Sequence, residues 1–128
     1  MPTILVVDDE PTIRVLLRVT LEGSGHRVLE AADGVSALEL ARRERPDLIL
    51  LDIALPALNG LEVCRRLKED PATAATPIFH LTGFVQEAER KAAAEAGAQG
   101  FIAKPFSPAV LVAQIEDALG RRPAVVSR

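Results

Sequence analysis

Five polar residues stand where apolar runs stop in this 128-residue chain. Asp8 and Asp9 close "TILVV" (3–7), Asp52 closes "LILL" (48–51), Thr82 closes "PIFHL" (77–81) and Lys104 closes "GFIA" (100–103). Any one of them alone is an ordinary start to a solvated turn. Brought together, three carboxylates about 5 Å apart repel by roughly 3 kcal/mol per pair at an effective dielectric near 20. Lys104 offsets part of that repulsion, and a hard divalent cation offsets far more. An all-oxygen set with few protein ligands and room for water suits magnesium, Mg2+. Beside such an ion Asp52 can serve as a nucleophile and form an acyl phosphate. Thr82 can donate a hydrogen bond to one phosphoryl oxygen and Lys104 can pair with another. Phosphoryl transfer asks mainly for this kind of positioning and charge neutralisation.

That chemistry requires the five groups to converge, so the elements carrying them decide the matter. Besides the four runs above, "RVLEA" (27–31) reads as a strand. The first, third and fourth strands are apolar on both faces, as central parallel strands covered by helices must be. Helix-period segments alternate with them. Residues 11–22 start at Pro11 and stop at Gly23, and 34–44 follow Asp33 and end before Pro46. Residues 60–69 follow Asn59, 86–96 end at Gly97, and 108–119 lie between Ser107 and Gly120. Five strands alternating with five helices predict an α/β fold with a doubly wound parallel sheet. Right-handed crossovers leave few strand orders. One is 2-1-3-4-5, the flavodoxin-like three-layer arrangement, which places ligands at the carboxyl ends of the strands. All five polar groups sit at those ends.

Composition narrows the field. The chain is 48% hydrophobic and 26% charged, with four Phe and no Tyr or Trp, so Leu, Val, Ile and Ala must fill the core. One ordinary domain is expected over residues 1–120, with "GRRPAVVSR" leading into a tail or linker over 121–128. A net charge of −3 with no basic face offers nothing for direct nucleic-acid binding. One Cys and two His make neither a disulfide nor a Cys/His zinc site. No apolar run approaches the roughly 20 residues of a membrane span, and "MPTILVV" is no signal peptide. A cytoplasmic protein is expected.

The motifs "VVDDEP", "LLDIALPALNG", "LTG" and "AKPF", in this order and spacing, resemble the receiver domain of bacterial two-component response regulators. The resemblance covers residues 3 to about 119. It implies Asp9 as a direct magnesium ligand, Asp8 acting mainly through water, and the Ala54 backbone carbonyl completing the set with Asp52. It implies Asp52 as the phosphoacceptor, Thr82 as a switch hydroxyl, Lys104 as a phosphate-sensing lysine and a cis bond before Pro105. Phe101 falls at the aromatic switch position. The implied partners are a sensor histidine kinase or phosphotransfer protein upstream and an effector protein downstream. The effector would be met by the face of the fourth helix, fifth strand and fifth helix. Such a module catalyses its own phosphorylation and dephosphorylation and is no enzyme toward small molecules.

Departures from the family pattern matter. Phe101 stands where Tyr is common, Gly83 where Ala is usual and Leu55 where Met is frequent; "GAQGFIAKPF" lacks the acidic pair of many DNA-binding relatives. The resemblance implies Ala54 and Phe84 as the positions that flank the approach of water to a phosphorylated Asp52; neither can orient water, so slow hydrolysis is expected. Cys64 reads as a small buried hydrophobe and His80 as a core or helix-facing residue; His26, in a turn, carries no assignment. Three rival readings remain. A phosphorylation-independent receiver-like scaffold differs only in lacking chemistry that this chain retains. An aspartyl-nucleophile phosphatase needs an Asp-x-Asp-x-Thr frame, where Asp8 to Thr12 reads Asp-Asp-Glu-Pro-Thr. A flavin-binding electron carrier needs a hydroxyl-rich loop and stacking aromatics that are absent here.

Overall fold

A computed structural model describes residues 2–83 and 87–120. Five strands alternate with five helices: β1 (Thr3–Val7), α1 (Pro11–Glu22), β2 (Arg27–Ala31), α2 (Gly34–Glu44), β3 (Leu48–Asp52), α3 (Gly60–Glu69), β4 (Ile78–Thr82), α4 (Glu87–Ala96), β5 (Gly100–Ala103) and α5 (Pro108–Ala118). All strand pairs are parallel, in the order β2-β1-β3-β4-β5. The expected doubly wound sheet is therefore the observed one.

The two-residue period of the strands sorts the core into two layers. Leu5, Val7, Ile49, Leu51 and Ile78 point to one face, against Ala37 and Ala41 of α2, Val63, Cys64 and Leu67 of α3, and Ala96 of α4. Ile4, Val6, Leu48, Leu50 and Leu81 point to the other, against Leu17 and Leu21 of α1 and Leu111 and Ile115 of α5. Small alanines on α2 and α4 let those helices lie close to the sheet, which compensates for the scarcity of aromatics.

Element bounds shift slightly from the sequence runs, while Asp52 and Thr82 end the third and fourth strands as expected. β4 runs over 78–82 rather than 77–81, because Pro77 has no N–H for the ladder and only its carbonyl takes part, accepting from Ile49 N at 3.0 Å. β3 continues through Asp52, which pairs with Leu81, and Thr82 pairs with Ala103. Asp52 and Thr82 are thus the last rungs of the ladder, whereas Asp8, Asp9 and Lys104 follow directly after their strands. α5 ends at Ala118 with Leu119 as its cap. The expected tail over 121–128 lies outside the described residues, as does Gln86 at the expected start of the fourth helix.

Local chemistry fixes the helix starts. Asp33 accepts from Ser36 N at 2.8 Å and Asn59 from Glu62 N at 3.0 Å, each satisfying an amide left open by the first turn. α1 has no side-chain cap, and Pro11 at its first turn removes one amide that would need one. Gly60 opens α3 hard against the end of β3. A Cβ there would lie 2.2 Å from the Asp52 carbonyl oxygen and 2.8 Å from Ile53 Cα, both backbone atoms that cannot move aside cheaply. The Gly60 N–H uses this closeness to donate to Ile53 O at 2.9 Å.

Gly60→Ala should therefore lower stability by about 1–3 kcal/mol, the usual cost of overpacking a tight contact. Urea unfolding measures this; an unchanged midpoint would mean that α3 can withdraw from β3 freely.

Candidate functional site

The carboxyl ends of β1, β3, β4 and β5 open into a cavity of about 470 Å³ lined by Asp9, Glu10, Asp52, Ile53, Ala54, Thr82, Gly83 and Lys104. Asp8 lies beneath it, fully buried. Carboxylate oxygens of Asp8, Asp9 and Asp52 lie within 4.8 Å of one another. The sheet order accounts for this: β1 and β3 are hydrogen-bonded neighbours, so the acids at their ends meet across one strand spacing.

Each group has a defined setting. Asp8 Oδ1 accepts from Glu10 N at 2.9 Å, which turns the chain sharply into α1. Its Oδ2 accepts from Lys104 Nζ at 2.9 Å. Asp9, the next residue, is exposed at the mouth. Asp52 is buried, and its Oδ1 accepts from Ala54 N at 3.1 Å. Lys104 Nζ lies 3.5 Å from Asp52 Oδ2, so the ammonium sits between two buried acids and nearer to Asp8. Thr82 is buried beside them, and Gly83 leaves the mouth wide, its nearest neighbour being Lys104 Cβ at 4.0 Å from a would-be side chain. The Lys104–Pro105 peptide bond is cis.

The charges respond to this setting. Burial raises the Asp52 pKa above the usual carboxylate value, the Ala54 N–H works against the rise, and the charge of Asp8 adds to it. For Lys104, burial favours loss of the proton, but the Asp8 hydrogen bond and the charges of Asp52 and Asp8 together outweigh it, so the ammonium is held more firmly than usual. Three carboxylates against one ammonium leave an excess of negative charge in a narrow space. Hard oxygen donors, close spacing and an open, water-accessible mouth fit a magnesium ion.

The sequence reading placed Asp8, Asp9, Asp52, Ala54, Thr82 and Lys104 at one site, and the structure brings all six together there. Phe101 lies on β5 two rungs short of the Thr82–Ala103 pair, is itself paired with His80, and is half-buried. Ala54 is exposed at the mouth, whereas Phe84 lies outside the described residues.

Two residues escaped the sequence reading. Arg14 on α1 donates from Nη1 to the Asp8 carbonyl at 2.7 Å and from Nε to Glu30 at 3.2 Å, bracing the turn that carries both aspartates. Its position one helical turn inside α1 was the available signal. His26 is buried, with Nε2 2.6 Å from Glu116 Oε2 on α5. No local pattern announces a contact between residues so far apart in the chain. Cys64 donates to Ala96 O at 3.4 Å, and burial pushes its thiol up to about 11, which leaves it inert.

Comparison with known proteins now decides the family. Residues 4–116 match the model of the response regulator receiver domain. The chain belongs to that family. This receiver is 44% identical over 118 residues to the alkaline phosphatase synthesis transcriptional regulatory protein PhoP of Bacillus subtilis, covering 92% of the chain and 48% of PhoP. The receiver thus spans about half the length of that relative. Among solved structures it resembles the chemotaxis protein CheY4 of Vibrio cholerae, with a TM-score of 0.89 and 32% identity over 92% of this chain and 98% of that one. It also resembles the receiver domain of a Pseudomonas aeruginosa sensor histidine kinase, with a TM-score of 0.87 and 33% identity over 93% and 98% of the two chains. That domain has a magnesium ion coordinated in its active-site cleft. Receivers are signalling domains of two-component systems. No described helix is long and apolar enough to cross a membrane.

His80 supports the site from behind. Its Nδ1 lies 3.0 Å from Leu51 O, an acceptor only, so Nδ1 carries the proton and donates to the residue before Asp52. Burial lowers its pKa, and the hydrogen bond to Leu51 opposes that only in part. A base held neutral in the fold binds its proton more readily when unfolded. Stability should therefore be whole above the unfolded value of 6.5 and fall as pH drops from there through the lower folded value. The urea midpoint of the receiver should fall more between pH 7.5 and pH 5.5 than that of His80→Gln. Parallel losses in both would place the sensitivity elsewhere.

Proposed function

We propose that this receiver is a phosphorylation switch in which Asp52 accepts a phosphoryl group from the phosphohistidine of a sensor histidine kinase or phosphotransfer protein. The observation that carries the reading is the position of Asp52, buried at the floor of the cavity within ion-binding distance of Asp8 and Asp9. Asp9, Asp52 and the Ala54 carbonyl would hold a magnesium ion directly, and Asp8 mainly through water. When bound, that ion neutralises charge on the attacking and transferred oxygens.

The chain's own residues do the rest. A carboxylate oxygen of Asp52 attacks phosphorus as the phosphorus–nitrogen bond breaks, and the imidazole departs with its electron pair. The Ala54 N–H orients the Asp52 carboxylate at 3.1 Å. Lys104 already touches both buried acids and needs only a short swing from Asp8 to pair with the new phosphoryl oxygens. The Thr82 hydroxyl donates to another of them. As Thr82 moves toward the phosphoryl group, Phe101 follows into the space it leaves. The α4-β5-α5 surface changes with it and is read by an effector protein. Direct nucleic-acid binding and small-molecule turnover form no part of this reading.

A donor must reach the cavity mouth, and the adjoining surface is suited to it. α1 begins next to Glu10 at the mouth and exposes Val15, Leu16 and Val19 along a shallow cavity of about 580 Å³ that also includes Pro11 and Thr12. An apolar helical ridge of this kind fits a donor helix. Leu16→Ser should slow phosphorylation by a histidine kinase severalfold while leaving labelling by a small phosphodonor unchanged. Equal slowing of both would place the defect in the site and not in docking.

The chemistry has its own test. Treatment with a small phosphodonor and magnesium should add one phosphoryl group by intact mass, removable by hydroxylamine. Asp52→Asn should take none. Asp9→Ala should also take none while melting no lower than the parent without metal, since Asp9 is exposed and its loss only relieves repulsion. A hydroxylamine-resistant label, or full labelling of either variant, would defeat the assignment.

A further inference from the structure

Phe101 has a half-buried ring whose backbone is fixed and whose position depends on two neighbours. β5 pairs it with His80, and Gln114 of α5 donates to its carbonyl at 3.4 Å. The His80 ring lies 6.2 Å away between centroids, tilted by 40°. The Arg90 guanidinium of α4 lies over the Phe101 ring, with Cζ 5.5 Å from the centroid. His80 is buried and held neutral, so it contributes packing but no charge. Arg90 therefore supplies the cation at this ring. Because residue 101 is Phe and not Tyr, no hydroxyl competes with that contact for control of the ring.

We propose that Arg90 is a positioning residue for the switch: its guanidinium holds the Phe101 ring in the resting position and must leave the ring before Phe101 moves. The inference rests on the reading that Phe101 follows Thr82 when Asp52 is phosphorylated. An interaction made in only one of two states shifts the balance between them by its own strength. For a guanidinium at an exposed site over a phenyl ring this corresponds to about a two- to fivefold change. Arg90 is itself exposed, so its removal leaves the core untouched. The electrostatic part of the contact needs a positive charge and not a guanidinium as such, so Lys should restore part of the effect and the neutral, similarly long Gln should not.

The test uses the full chain with 4-fluorophenylalanine at its four Phe positions. The fluorine resonance of residue 101 is assigned by its loss in Phe101→Leu. The resting and phosphodonor-treated wild type define a line between the two ring positions. Arg90→Gln should move the resting resonance along that line, raising the population of the moved ring about two- to fivefold. It should speed labelling by a small phosphodonor by the same factor, with Arg90→Lys intermediate in both. A resonance that stays in place, or leaves the line without faster labelling, would overturn the proposal and leave Arg90 a surface residue. A wild type that takes no label would instead overturn the phosphoacceptor reading on which the proposal depends.

Discussion

The ammonium of Lys104 between two buried carboxylates is the interaction on which the site depends. Asp8 and Asp52 are both buried at neighbouring strand ends, and without a cation two such charges would oppose each other across a short distance. Lys104 comes from β5, at the edge of the sheet, and reaches across β4 to join them. The sheet must therefore hold β1, β3 and β5 in a fixed relation, and the two apolar layers do so. The same arrangement keeps Lys104 nearer Asp8 and leaves Asp52 the longer contact. Asp52 is thereby left the less compensated of the two acids.

Around that centre the chain is built to bring backbone close without filling the mouth. Gly60 lets α3 press on the Asp52 backbone, and Gly83 leaves space above Lys104. The Asp8 carboxylate turns the chain into α1 through Glu10 N, while Arg14 braces the same turn from the helix. Burial of His80 behind Leu51 stiffens the end of β3 and places a neutral ring beside Phe101. His80 and Phe101 thus share one wall, on the side of the sheet covered by α4.

Much of this was legible because the reactive residues interrupt apolar strands. Asp52 after "LILL" and Lys104 after "GFIA" stand out against residues that must be buried, and helix punctuation at Asp33, Asn59 and Ser107 placed the intervening helices. Strand starts were less legible: Pro77 belongs to the apolar run of the fourth strand, but its missing N–H keeps it off the ladder. His26 was not legible at all. Its partner Glu116 lies on α5, and only the packing of α5 beside α1 brings the two together.

Local sequence by itself determined which residues are strand, helix and turn, and which few polar groups stand at strand ends, because burial of β-branched and aliphatic side chains sets those choices residue by residue. It also carried the family, through four short motifs in a fixed order. Tertiary structure alone decided that Lys104 lies nearer to Asp8 than to Asp52, that α3 touches the Asp52 backbone at Gly60, and that Arg90 covers Phe101. Each of these is a distance between residues on different elements. Such distances are set by how strands order and helices pack, and side chains a few ångströms apart in space leave no mark on their spacing along the chain.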